Sequence, residues 1–177
     1  MKKRLGFIAI SLAIIFLALP LASCKGDIET PKGMKLASDE TADFTLFVPE
    51  KWTVDLTGAA VGAYASKDDP SSVSMMAWGL EYSDSTLADW WDVNLAEIEK
   101  VFSDVEVVAE SNALVDNLNA KKYTYTASLG ENSYTIMQVA CIRDVYVYLF
   151  TYTSTPDKFD SHLEEVDSML TNLKIGK

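Results

Sequence analysis

Three runs near the end of the chain, AKKYTYTAS, SYTIMQVACI and VYVYLFTYTS, constrain the fold more than any other feature of the sequence. They are rich in Tyr, Thr, Val and Ile, which suit a pleated surface, and only LGEN and RD separate them. Neighbours joined by such short loops pair antiparallel. A two-residue turn at Arg143-Asp144 predicts Ile142 opposite Val145 and Ala140 opposite Val147, and a four-residue loop predicts Ser128 opposite Ser133. Side chains alternate along a strand, so two faces follow. One carries Tyr123, Tyr125, Ile136, Gln138, Ala140, Val147 and Leu149. The other carries Met137, Val139, Cys141, Tyr146, Tyr148, Phe150 and Tyr152. Neither is polar enough to be left in water.

Two helical stripes can cover these faces. Thr86 with Asp89 forms a capping-box pattern ahead of Leu87, Trp91, Ile98, Val101 and Phe102. Thr155 and Pro156 suit the start of a second helix whose stripe is Phe159, Leu163, Val166, Leu170 and Leu173, with Lys174 near its end. Upstream, FTLFVP, WTVDL, VGAYAS and VSMMAWGLE read as strands, with KDDPSS a polar loop; VEVVAES and NALVD read as two more short strands. The expected fold class is α+β, an antiparallel sheet of about six to eight strands flanked by helices on both faces.

The amino terminus places the chain in the cell. Lys2, Lys3 and Arg4 precede an apolar run from Leu5 to Leu19, and its 15 residues fall short of the ~20 that span a bilayer core. Leu21-Ala22-Ser23-Cys24 resembles the lipobox of bacterial lipoproteins. A thiol is the nucleophile that takes up a diacylglyceryl group, and small residues before it admit the signal peptidase. The expected division is therefore a signal peptide over 1–23, a lipidated Cys24 with a polar tether over 24–43, and one folded domain over 44–177. Two or three acyl chains such as palmitate, each buried methylene worth ~0.8 kcal/mol, anchor a protein stably to a membrane that it does not span. Localisation is expected to be extracytoplasmic, at the bacterial cell envelope.

Order and pattern together resemble the PsbP-like fold family, known from a photosystem extrinsic protein and recurring in small bacterial lipoproteins. The likeness lies in FTLFVPEKWTV, VGAYAS, TLADWWDVNLAEIEKVF, YTIMQVACIRDVYVYLFTYTS and TPDKFDSHLEEVDSMLTNLK, and it spans nearly all of residues 44–174. It rests on no catalytic signature. The resemblance implies an antiparallel sheet between helices and a binding or scaffolding role, and the manganese–calcium chemistry near which the photosynthetic member works is not carried over.

Composition narrows the chemistry. Removal of residues 1–23 takes the formal charge from −11 to −14, which repels nucleic-acid phosphates, so no nucleic-acid partner is expected. Once Cys24 is acylated, Cys141 is the only free thiol and His162 the only histidine, so cysteine–histidine and binuclear metal sites are not expected, nor is any cofactor. Asp68-Asp69 lacks calcium-loop spacing and reads as a pair of solvated loop acids.

No catalytic residue is assigned; the less favoured enzyme reading is a hydrolase using His162. The candidate ligand residues are Trp90, an indole at the edge of the helical stripe; Asn94 and Gln138, amides where apolar residues are expected; and Tyr146, Tyr148 and Tyr152, apolar bodies with hydroxyl tips. The expected function is a non-enzymatic, lipid-anchored binding or scaffolding domain with an envelope protein or a small ligand as partner. The alternative is a lipoprotein that binds a small molecule or glycan in a Tyr/Thr-lined pocket.

Overall fold

The computed structural model describes residues 29–38, 41–82 and 84–176. In chain order the elements are β1 (Met34–Leu36), β2 (Phe44–Thr45), β3 (Phe47–Pro49), β4 (Thr53–Asp55), β5 (Val61–Ser66), β6 (Asp69–Gly79), α1 (Leu87–Val101), β7 (Ser103–Val115), β8 (Leu118–Leu129), β9 (Asn132–Arg143), β10 (Tyr146–Ser154), a 3-10 turn (Phe159–His162), α2 (Leu163–Asn172) and β11 (Lys174–Ile175). Seven strands form one antiparallel sheet in the order β4-β5-β6-β10-β9-β8-β7. Two small pairs, β1 with β3 and β11 with β2, lie outside it. The chain leaves the sheet at β6, passes through α1 and re-enters at the far edge, β7; a meander then returns it to β6.

Local chemistry explains the turns. Asp116 and Asn117 both hold positive φ, 47° and 65°, the conformation a two-residue hairpin needs and Asp or Asn tolerates. VEVVAES and NALVD, which the sequence suggests as two short strands, run on as the single 13-residue strand β7, and this turn folds it onto β8. Gly130 takes φ 60° in the next hairpin, whose pairing of Ser128 with Ser133 is as expected.

The last hairpin differs from expectation. Asp144 and Val145 form the turn, with Asp144 at φ 56°, so Ile142 faces Val147 and Ala140 faces Leu149. The register moves by two positions, an even number, and the assignment of residues to faces survives.

The core falls into two clusters. One gathers Trp90, Trp91 and Ile98 of α1 with Tyr123, Tyr125, Ile136, Ala140, Val147 and Leu149 of the sheet. The other gathers Val166, Met169 and Leu173 of α2 and its C-cap with Met137, Val139, Cys141, Tyr148, Phe150 and Tyr152.

Four expectations need correction. Met34, Ala37 and Ser38 are buried and β1 pairs with β3, so part of the segment read as a tether over 24–43 belongs to the fold; Cys24 lies outside the described residues. The second helix starts at Leu163, after a turn in which the Thr155 carbonyl accepts from Lys158 and Phe159. Lys174 sits in β11 and pairs with Asp116 at 3.1 Å. Val101 is exposed, whereas both tryptophans of α1 are buried: Leu87, Leu95 and Phe102 complete a stripe displaced toward Trp90.

Candidate functional site

The capping box at the start of α1 sets the geometry of the most aromatic surface. Thr86 Oγ1 accepts from the Asp89 amide at 3.2 Å and the Asp89 carboxylate accepts from the Thr86 amide at 2.9 Å, which satisfies two helix-end donors reciprocally. One position on, Trp90 and Trp91 diverge. Trp91 stacks flat on Tyr123 with ring centroids 3.7 Å apart, and this anchors the helix to β8. Trp90 tilts against Trp78 of β6 at 6.3 Å and 51°.

Between the end of β6, the segment after it and α1 lies a cleft of about 420 Å³, within the range of small-ligand sites. Trp78, Tyr82 and Trp90 supply its aromatic surface, and Glu81, Asp89 and Glu97 its charge. Among the described residues no Lys, Arg or His lines it. Trp78 and Tyr82 are exposed while Trp90 is only 7% exposed, so Trp90 is the fixed wall. The Tyr82 hydroxyl titrates above its usual range because it hydrogen-bonds the neighbouring Glu81 carboxylate.

Asn94 also lines this cleft. Its Nδ2 donates to Gln138 Oε1 at 2.9 Å, and Gln138 Nε2 reaches Thr151 Oγ1 at 3.5 Å. The two amides singled out in the sequence are therefore each other's partners, in a bond that ties α1 to the sheet.

The three tyrosines are not brought together. Tyr148 is buried, its hydroxyl donating to Asp43 at 2.6 Å; burial first, then the Asp43 carboxylate, push it up to about 12. Tyr152 is fully buried and donates to the Phe159 carbonyl at 2.8 Å. Both are spent on the core. Tyr146 alone is exposed, and it lines a second cleft of about 510 Å³ with Phe44, Leu56 and Met76.

His162 is equally committed. Nδ1 lies 2.9 Å from Glu165 and Nε2 3.1 Å from Asp69, and the Trp52 ring meets the imidazole edge-on at 5.4 Å. Glu165 also accepts from the Trp52 indole at 3.0 Å and from Lys51 at 2.6 Å. Asp69 is thus a half-buried member of β6 that accepts from the Ser71 amide, not a solvated loop acid. The nearby hydroxyls of Ser71 and Ser154 are buried and bond each other at 2.7 Å. With a carboxylate on each ring nitrogen, the imidazole presents no free nitrogen to a serine. Among the described residues no group of three or more His, Cys, Asp or Glu is arranged to hold a metal ion.

Sequence reasoning missed Trp78, Glu81 and Tyr82. The available signal was a tryptophan near the end of a strand, followed by a polar segment and a capped helix with a tryptophan pair in its first turns. Strand alternation places Trp78 on a face, but it does not reveal that α1 folds back beside it.

No family model matches the chain, and no curated protein sequence is similar to it. Solved structures do share its fold. The solution structure of cyanobacterial PsbP (CyanoP) from a Synechocystis species superposes with a TM-score of 0.60 at 18% identity, covering 88% of this chain and 99% of that one. LpqN of Mycobacterium tuberculosis, described as involved in cell envelope biogenesis, matches at 0.60 and 15% identity over 81% of this chain and 91% of its own. A protein of Bacteroides thetaiotaomicron matches at 0.53 and 12% identity, this chain spanning 50% of it. The fold is PsbP-like, a mostly-sheet α+β architecture with a seven-stranded antiparallel sheet and two helices.

Proposed function

We propose that this chain is a non-enzymatic binding domain, anchored by lipid on Cys24 outside the cytoplasm of a bacterium, whose site is the cleft beside Trp90. In this reading α1 and α2 close opposite faces of the sheet, and the cleft is the place where that closure is left open. The observation that carries it is the wall of Trp78 and Trp90, tilted together and partly open to solvent, at a cleft of ligand size. The engagement of both His162 nitrogens by carboxylates supports a role without catalysis. The fold it shares with LpqN, a protein involved in envelope biogenesis, agrees with a place at the envelope, and so does the sequence from Lys2 to Cys24.

Two measurements test the parts separately. Cys24→Ser is expected to release the chain from the membrane fraction; continued membrane association would count against the anchor. The native chain purified from its host is expected to carry a bound small molecule, detected by mass spectrometry of the denatured extract, and Trp78→Ala is expected to lose it. A chain that carries nothing, or the same compound in both forms, would remove the cleft from the proposal.

A second reading, protein–protein scaffolding, draws on the outer strand β7. It lies at the edge of the sheet, with Val108 and Leu114 exposed along it, a position open to strand addition by a partner.

A further inference from the structure

We infer that the cleft between β6 and α1 binds a small organic ammonium ion, an inference that rests on the reading of this cleft as the binding site. Three features select this chemistry. Glu81 and Asp89 line the cleft with no Lys, Arg or His among its described walls, while Glu97, also in the wall, is paired with Lys100, in a chain whose net charge is already −11. A fixed field of one sign in a concave site attracts a ligand of the other sign.

The second feature is the aromatic geometry. An indole face attracts a cation that comes within ~6 Å of its centroid. The Trp78 and Trp90 centroids lie 6.3 Å apart, so a single ion beside the pair can lie within that range of both. Their planes meet at 51°, which makes a corner instead of a platform. A flat sugar ring is best received by one broad face, whereas a compact, rounded ammonium group fits a corner. Tyr82, exposed, lines the same cleft and adds a third ring to its wall.

The third feature is the apolar remainder. Leu80 and Val93 also line the cleft, and neither helps a strongly hydrated inorganic ion such as sodium. Methyl or methylene groups around a cationic nitrogen gain from them. Asn94, held by Gln138, gives a polar contact at the inner wall.

Choline is the direct probe and its uncharged tert-butyl isostere the control. Titration calorimetry on the full chain, in a detergent without an ammonium group, is expected to show saturable choline binding. The isostere is expected to bind at least about tenfold more weakly, because the cation–π and carboxylate attractions are lost together. Trp78→Ala and the isosteric Glu81→Gln are each expected to weaken choline at least about threefold, and Leu129→Ala, exposed at the opposite end of the sheet, to leave it unchanged. Glu81 is a surface residue, so its variant keeps the test sound if Trp78→Ala disturbs folding.

Equal binding of choline and isostere, weakened by Trp78→Ala, would overturn the charge assignment while leaving the cleft as a ligand site. Choline binding indifferent to both variants would put the cation elsewhere and overturn the inference. Absence of choline binding would overturn it too, and the bound compound found in the native chain then decides whether the cleft reading survives.

Discussion

His162 Nε2 lies 3.1 Å from the carboxylate of Asp69, a residue 93 positions earlier in the chain. With Nδ1 facing Glu165, the imidazole joins the turn ahead of α2 to the start of β6. Burial opposes its charge, but hydrogen bonds to Glu165 and Asp69 outweigh that, and His162 titrates above its usual 6.5. Asp69 is held at about 2, chiefly by Ser71 and with help from His162. Burial pushes Glu165 up, yet Lys51, His162 and Trp52 together bring it below its usual 4.5.

The signs define a pH window. A raised histidine contributes stability that is complete below 6.5 and is lost as pH rises through its folded value. The depressed carboxylates contribute above 4.5 for Glu165 and 3.8 for Asp69, and lose that contribution as pH falls. The difference in Tm between the native chain and His162→Gln is therefore expected to be largest between about 4.5 and 6.5 and to shrink on either side. A difference that grows above neutral pH would contradict a protonated clamp.

The amide pair offers a cleaner test of α1. Asn94→Leu leaves the buried Gln138 without its donor and is expected to cost about 1–3 kcal/mol in urea unfolding. The double variant Asn94→Leu/Gln138→Leu, which removes both partners, is expected to recover most of that loss. Strictly additive losses would mean that the two side chains act independently.

Asp116 closes the carboxyl terminus. Its carboxylate accepts from the Ile175 amide at 3.0 Å and from Lys174 at 3.1 Å, while the Arg143 guanidinium bonds the Ile175 carbonyl. Asp116→Asn keeps a turn-compatible residue but removes the charge, and is expected to cost about 1–2 kcal/mol. Hydrogen exchange should locate the loss at Ile175 and Gly176 and leave β9 protected.

Cys141 is expected to be inert in the folded chain. Burial, followed by the Asp116 charge, pushes its thiol up to about 12, so almost no thiolate exists at neutral pH. A thiol reagent at pH 8 should label this position only after unfolding, and fast native labelling would show that the core around β9 opens.

By itself, the sequence specified what depends on periods of two and of three to four residues. It predicts the late hairpins, the two sheet faces, the Thr86–Asp89 cap and the stripe Leu163-Val166-Leu170-Leu173, because these follow from local geometry. It survived its own error at Arg143-Asp144 because a shift of two positions returns each side chain to the same face.

Tertiary structure alone decided which polar groups meet. Asn94 finds Gln138, Tyr148 finds Asp43, and Asp69 finds His162 only after α1 has crossed to the far edge and α2 has packed down. The same crossing brings Trp90 against Trp78, so the candidate cleft exists between two segments that each looked like ordinary secondary structure. Long-range contacts of this kind have no signature in spacing, since loop closure brings distant residues together without regard to the period of either segment.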